Sequence, residues 1–151
     1  TKDLASRVLN KPLDFGIDFH FDGAFEEAPF YTRHPWLFTS SKDFVRYCQT
    51  GQRRRKIYAF QNITCMDVVF VNANRVGMVE LKVSHDYSDR RRGNVLYKMR
   101  KQLNLAHTFI KVNFPDYHCD CVGVHMIVKT GDVYVDRFEE NPDTRCLELV
   151  A

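Results

Sequence analysis

The sequence predicts an α+β domain, α/β in the broad sense, with a central mixed β-sheet flanked by helices. Three observations carry that expectation. Two short apolar runs, 66–71 and 76–83, are separated by Asn72-Ala73-Asn74-Arg75, which has the residue types of a hairpin turn. Further on, Val95, Leu96, Met99, Leu103, Ala106, Phe109 and Ile110 recur three and four apart, the period of an amphipathic helix over 94–111. After Pro115 two more strand-like runs follow. The predicted order is helix, three strands, helix, then one or more strands, or αβββαβ.

Taken in order, residues 1–39 read as an irregular arm rich in Phe, Asp and Pro, with a short helix at 3–9. Ser40-Ser41-Lys42-Asp43 is a capping box and predicts a helix through Phe44, Val45 and Cys48 to Gly51. Lys56-Ile57-Tyr58-Ala59-Phe60 alternates as a first strand, and the hairpin supplies the second and third. Residues 86–93 form a charged connector whose one apolar anchor is Tyr87, and mobility is expected there. In the long helix Gln102 falls inside the apolar arc, where a side-chain amide needs a partner, while Lys98 and Lys101 fall outside it. The run 119–129 reads as a buried central strand, Thr130-Gly131-Asp132 as a turn, and 133–138 as an alternating edge strand.

At 151 residues the chain is expected to form a single domain, with 1–39 as arm and 40–138 as core. It opens on Thr1, as an excised domain or processed product would. No apolar run approaches a membrane span, and the five cysteines follow no framework spacing, which suggests an intracellular setting, nuclear or cytoplasmic.

The net charge of +3 hides a lopsided distribution. Residues 41–102 carry fourteen Lys and Arg against five acids, whereas 1–40 carry six acids against four basic residues. Two clusters dominate the positive band: Arg53-Arg54-Arg55-Lys56 and Arg90-Arg91-Arg92. Solvated turns explain such clusters, and an import signal would explain the first. Their position on both sides of the hairpin favours contact with nucleic-acid phosphates, to which Lys98 and Lys101 would add.

Within that band Asp67 is followed, after twelve residues, by Glu80-Leu81-Lys82. Strand alternation places Glu80 and Lys82 on one face and Val79, Leu81 and Val83 on the other, and the hairpin returns Asp67 to the side of Glu80. Two carboxylates and an ammonium on a half-buried sheet are costly unless they pair or hold a metal. Oxygen ligands suit hard divalent cations, which neutralise phosphate charge, and a nearby lysine suits the attacking water. The acid, the spacer and Glu-x-Lys, followed by a helix, resemble the PD-(D/E)XK nuclease superfamily with its restriction-endonuclease-like fold. The resemblance covers roughly residues 40 to 130, and Met66 stands where the proline of the family name often stands. It implies a nuclease, Mg²⁺ or Mn²⁺ held by Asp67, Glu80 and the Leu81 carbonyl, and a water handled by Lys82. It further implies a supporting role for Gln102, as in RecB-like and Cas4-like branches, and a metal-binding histidine, for which His34 or His20 is available. Glu26, Glu27 and Asp43 are candidates for a further carboxylate.

His118-Cys119-Asp120-Cys121 with His125 lacks the usual spacing of a zinc knuckle, and its cysteines suit an apolar core. The functional expectation is a metal-dependent nuclease acting on DNA or RNA. Two other readings are a non-cleaving nucleic-acid-binding module of the same fold and an interaction domain of a larger assembly.

Overall fold

The computed structural model describes residues 2–31 and 62–150. Along the chain these form α1 (Lys2–Asn10), a 3₁₀ turn (Pro12–Phe15), β1 (Gly23–Tyr31), β2 (Asn62–Val71), β3 (Arg75–Ser84), α2 (Asp89–Asn113), β4 (His118–Ile127), β5 (Val133–Glu140) and β6 (Leu147–Leu149). The strands make one six-stranded sheet in sequence order, β1-β2-β3-β4-β5-β6. Every neighbouring pair is antiparallel except β3–β4, which runs parallel because α2 carries the chain back across the sheet. The chain is therefore α+β with a mixed sheet.

Apolar alternation along the strands feeds two cores. On one face Leu4, Ala5 and Val8 of α1, with Phe15 and Ile17, cover Val68, Phe70, Val79, Leu81, Val122 and Val124. On the other, Met99, Leu103, Ala106 and Ile110 of α2 cover Met66, Val69, Val71, Val76, Met78 and Cys121. Removing these side chains from water is the main force holding both helices to the sheet. At the far end of the sheet from Lys82, Asp120 on β4 accepts from Arg75 Nε at 2.6 Å and from Arg137 Nη2 at 3.0 Å, tying β3, β4 and β5 together.

Several expectations need correction. Residues 1–39 are not an irregular arm throughout: the helix expected at 3–9 is α1, and 23–31 is, among the described residues, the outermost strand of the sheet. Strand character there is obscured by Pro29, which an outermost strand tolerates, and by a break in alternation at Glu27. The charged connector ends early. Ser88 caps α2, its Oγ accepting the Arg91 N–H at 3.2 Å, so Asp89 to Gly93 are helical rather than mobile linker. Strand β5 is not an edge, because Glu139 pairs with Glu148 on the short β6. The helix expected at 40–51 and the strand at 56–60 lie outside the described residues.

One close approach positions α2. A Cβ on Gly123 of β4 would meet the Met99 thioether at 2.8 Å, so glycine there lets the helix settle onto the sheet. Gly123 pairs with Glu80 on one side and Asp136 on the other.

Candidate active site on the central hairpin

The hairpin forms as expected, with Val68 opposite Val79 as its last regular pair before the open end. One step further the register brings Asp67 opposite Glu80. The ladder stops there, and Asp67 Oδ2 instead accepts the Leu81 N–H at 2.8 Å. A strand residue directs its N–H and C=O toward the same neighbour, so the Leu81 carbonyl also faces this gap.

The gap arises from two matched irregularities. Met66 and Val69 both pack under α2 while Val68 faces α1, so the alternation of β2 slips at Asp67. On β1, Glu26 pairs with Val68 and Ala28 with Met66, which places Glu27 opposite Asp67. Glu27 has φ of +51°, an uncommon left-handed conformation for a non-glycine residue. Asp67, Glu26, Glu27 and Leu81 then line a cavity of about 270 Å³ together with Lys2 and Ala5 of α1.

Glu80 and Lys82 lie on the opposite, α2-facing side of β3. Glu80 is 3% exposed, its Oε1 lies 3.6 Å from Lys82 Nζ, and its Oε2 is shielded without a hydrogen-bond partner. Burial first, then the charge of Asp67 and a hydrogen bond with its side chain, push the Glu80 carboxyl up to about 9, against a smaller downward pull from Lys82. At neutral pH Glu80 is therefore protonated. A cation beside it would displace that proton.

The three motif residues are thus brought together: Glu80 sits with Lys82 beneath α2, and Asp67, at the mouth of the acidic cavity, is within hydrogen-bond reach of the Glu80 carboxyl. The two carboxyls communicate through the gap in the ladder. Gln102 is half-buried on α2 with Oε1 shielded and unpartnered. At 100° per residue it projects from the flank of α2 opposite Asn104, whose Oδ1 accepts the Leu147 N–H at 2.9 Å on the β6 side. That places Gln102 on the flank of α2 turned away from β6.

The basic residues divide by environment. Arg90, Arg91, Lys98 and Lys101 are exposed on α2. Arg92 instead turns inward, pairing with Asp136 and lying 4.5 Å over the Tyr134 ring. Arg53, Arg54, Arg55 and Lys56, like His34 and Asp43, lie outside the described residues. His20 is in the segment between the 3₁₀ turn and β1, with its carbonyl accepting from Asn72 at 2.6 Å.

Sequence reasoning missed the polar patch beside Lys82. Parallel register sets His125 of β4 against Lys82, and Tyr134 of β5 against His125. His125 and Asp136 are buried, and Asp136 Oδ2 has no hydrogen-bond partner. The available signal was a histidine and an aspartate inside apolar strand runs, but only the register reveals that His125 aligns with Lys82 and Asp136, across Gly123, with Glu80. Burial holds the Cys119 thiol up at about 12 and Cys121 well above its ordinary value, so both behave as core thiols. Among the described residues no three His, Cys, Asp or Glu side chains converge as a metal-binding group, and no helix is long and apolar enough to cross a membrane. Comparison with protein-family models, with curated proteins and with solved structures finds no match for this chain.

Proposed function

We propose that this chain is a divalent-cation-dependent nuclease that hydrolyses phosphodiester bonds of DNA or RNA. The observation that carries the proposal is the buried Glu80 carboxyl, adjacent to Asp67 and Lys82, with one oxygen left without a partner. A buried carboxylate oxygen of this kind is stabilised by a cation. The element order, one helix, three strands, a helix and further strands, agrees with the resemblance of the motif to PD-(D/E)XK nucleases.

The donor set fits a hard cation. Asp67, Glu80 and the Leu81 carbonyl are all oxygen donors, and magnesium is commonly held by one or two carboxylates with water and phosphate completing its shell. Bound Mg²⁺ or Mn²⁺ would supply charge neutralisation on the nonbridging oxygens and a nucleophile at neutral pH. The protein groups do the rest. Lys82 Nζ, anchored by Glu80, donates to the attacking water and orients it toward phosphorus. Gln102, with Oε1 unpartnered, accepts a hydrogen bond from the same water layer. Arg90, Arg91, Lys98 and Lys101 attract the nucleic-acid backbone.

The experiment is cleavage of labelled single- and double-stranded DNA and RNA with Mn²⁺, Mg²⁺ or EDTA, wild type beside Lys82→Ala. Metal-dependent cutting that the substitution reduces by at least about 100-fold supports the proposal. Cutting that is unaffected by EDTA or by Lys82→Ala refutes it.

A second reading is a nucleic-acid-binding module that does not cleave. Its support is the Asp67–Leu81 hydrogen bond, which gives Asp67 a structural task without a cation. Salt-sensitive binding with no cutting under any cation would favour it.

A further inference from the structure

Polar side chains on the α2-facing side of β3 do not end at Lys82. Ser84 stands two residues on, about 6.6 Å along the strand, and its hydroxyl is the terminus of a directed hydrogen-bond relay. Arg92 Nη1 lies 3.3 Å from His125 Nδ1, and His125 Nε2 lies 2.8 Å from Ser84 Oγ. A guanidinium only donates, so Nδ1 must be the accepting, unprotonated nitrogen. The neutral imidazole then carries its proton on Nε2 and donates it to Ser84. Having accepted from the imidazole, the hydroxyl directs its own proton away from His125.

The surroundings hold this polarity in place. His125 is 1% exposed, and burial together with the Arg92 charge lowers its pKa, which keeps the imidazole neutral. Arg92 is fixed by its ion pair with Asp136 and by the Tyr134 ring, and Tyr134 in turn stacks on Tyr87 at 5.9 Å. The pairing with Asp136 also engages the Arg92 charge, so Arg92 acts through His125 rather than on a ligand directly.

We propose that Ser84 is a substrate-contacting residue that donates a hydrogen bond to a nonbridging oxygen of the phosphate neighbouring the scissile one, whose attacking water Lys82 orients, with Arg92 and His125 as positioning residues that fix the direction of its proton. The inference rests on the nuclease reading of the Glu80–Lys82 site. It adds a phosphate contact on the same strand and fixes the path of the backbone along β3 past Lys82.

Two measurements test it. Nitrogen-15 shifts of the His125 ring in wild type should report the Nε2–H tautomer, and Arg92→Met should lose that preference. A ring that is Nδ1-protonated in wild type overturns the relay whatever the enzyme cuts. Kinetics then use the oligonucleotide that wild type cleaves, unmodified or with a methylphosphonate at the neighbouring phosphate. Ser84→Ala should raise KM about tenfold, leave kcat within about twofold, and be rescued by Ser84→Thr, which retains the hydroxyl. The methylphosphonate should penalise wild type by a similar factor and Ser84→Ala scarcely at all, since both remove the same contact. Cleavage by wild type with an unchanged KM in Ser84→Ala, or additive penalties, overturns the inference and leaves the nuclease reading standing. If wild type neither cuts nor binds any nucleic acid, the nuclease reading falls and this inference with it.

Discussion

The Leu81 amide donates a 2.8 Å hydrogen bond to Asp67, so a side chain takes over from the backbone where β2 and β3 part. Asp67 therefore has two tasks that substitution separates. Asp67→Asn keeps an accepting oxygen but loses the charge, whereas Asp67→Ala loses both. The alanine variant should be destabilised by about 1–2 kcal/mol in urea titrations and the asparagine variant by less. Both should lose Mn²⁺ uptake measured by calorimetry.

Glu80 gives a pH dependence of defined sign. Its carboxyl is pushed up to about 9 in the folded chain, so the folded state holds a proton that the unfolded state releases near its ordinary value of 4.5. The stability this proton confers is complete below the ordinary value and is lost as pH rises through about 9. Without added metal, Glu80→Gln should flatten that decline and be more stable than wild type at the alkaline end of the window, by about 1–3 kcal/mol. Thermal denaturation across this range checks it. In wild type, Mn²⁺ binding should release about one proton, seen as a buffer-dependent heat.

Arg92 and the exposed lysines of α2 should behave differently. Arg92→Met strands Asp136, which is 9% exposed, and should cost about 3–5 kcal/mol of stability. Lys98→Ala and Lys101→Ala should leave stability unchanged and weaken nucleic-acid binding, each lowering the salt slope by about one unit. Denaturant melts and binding isotherms at several salt concentrations separate the two classes.

Gly123 tests how α2 is seated. Gly123→Ala forces a methyl group against Met99 and should cost about 1–3 kcal/mol. Adding Met99→Ala should recover part of that loss, a non-additivity readable in a double-mutant cycle.

Local signals in the sequence were enough to place the hairpin, α2, β4 and β5, because each carries its own period or turn chemistry. The adjacency of Asp67, Glu80 and Lys82 followed from the same alternation. Strand β1 was illegible for a physical reason: the break at Glu27 destroys the period that identifies a strand, and what pairs with it lies in β2. Ser88 shows a second kind of failure. It lies within a charged stretch with few apolar residues, so the periodicity that locates a helix begins only after the helix has started. The partnership of His125 with Lys82 depends on a parallel register spanning the whole of α2, which no local pattern encodes. That Asp67 lines the acidic cavity as well as meeting Glu80 was equally invisible, since it depends on the slip in β2.

The two slips, at Glu27 and at Asp67, cancel. Because β1 and β2 each lose step at the same row, pairing resumes in phase on both sides, with Ala28 buried against Met66. Restoring regular alternation on one strand alone would leave the other half a period out, trading buried Ala28 for an acidic neighbour. Strand β1 and the hairpin are thereby bound to change in concert. A substitution that regularises Glu27 would be felt at Asp67, across a strand boundary, before it was felt anywhere along β1.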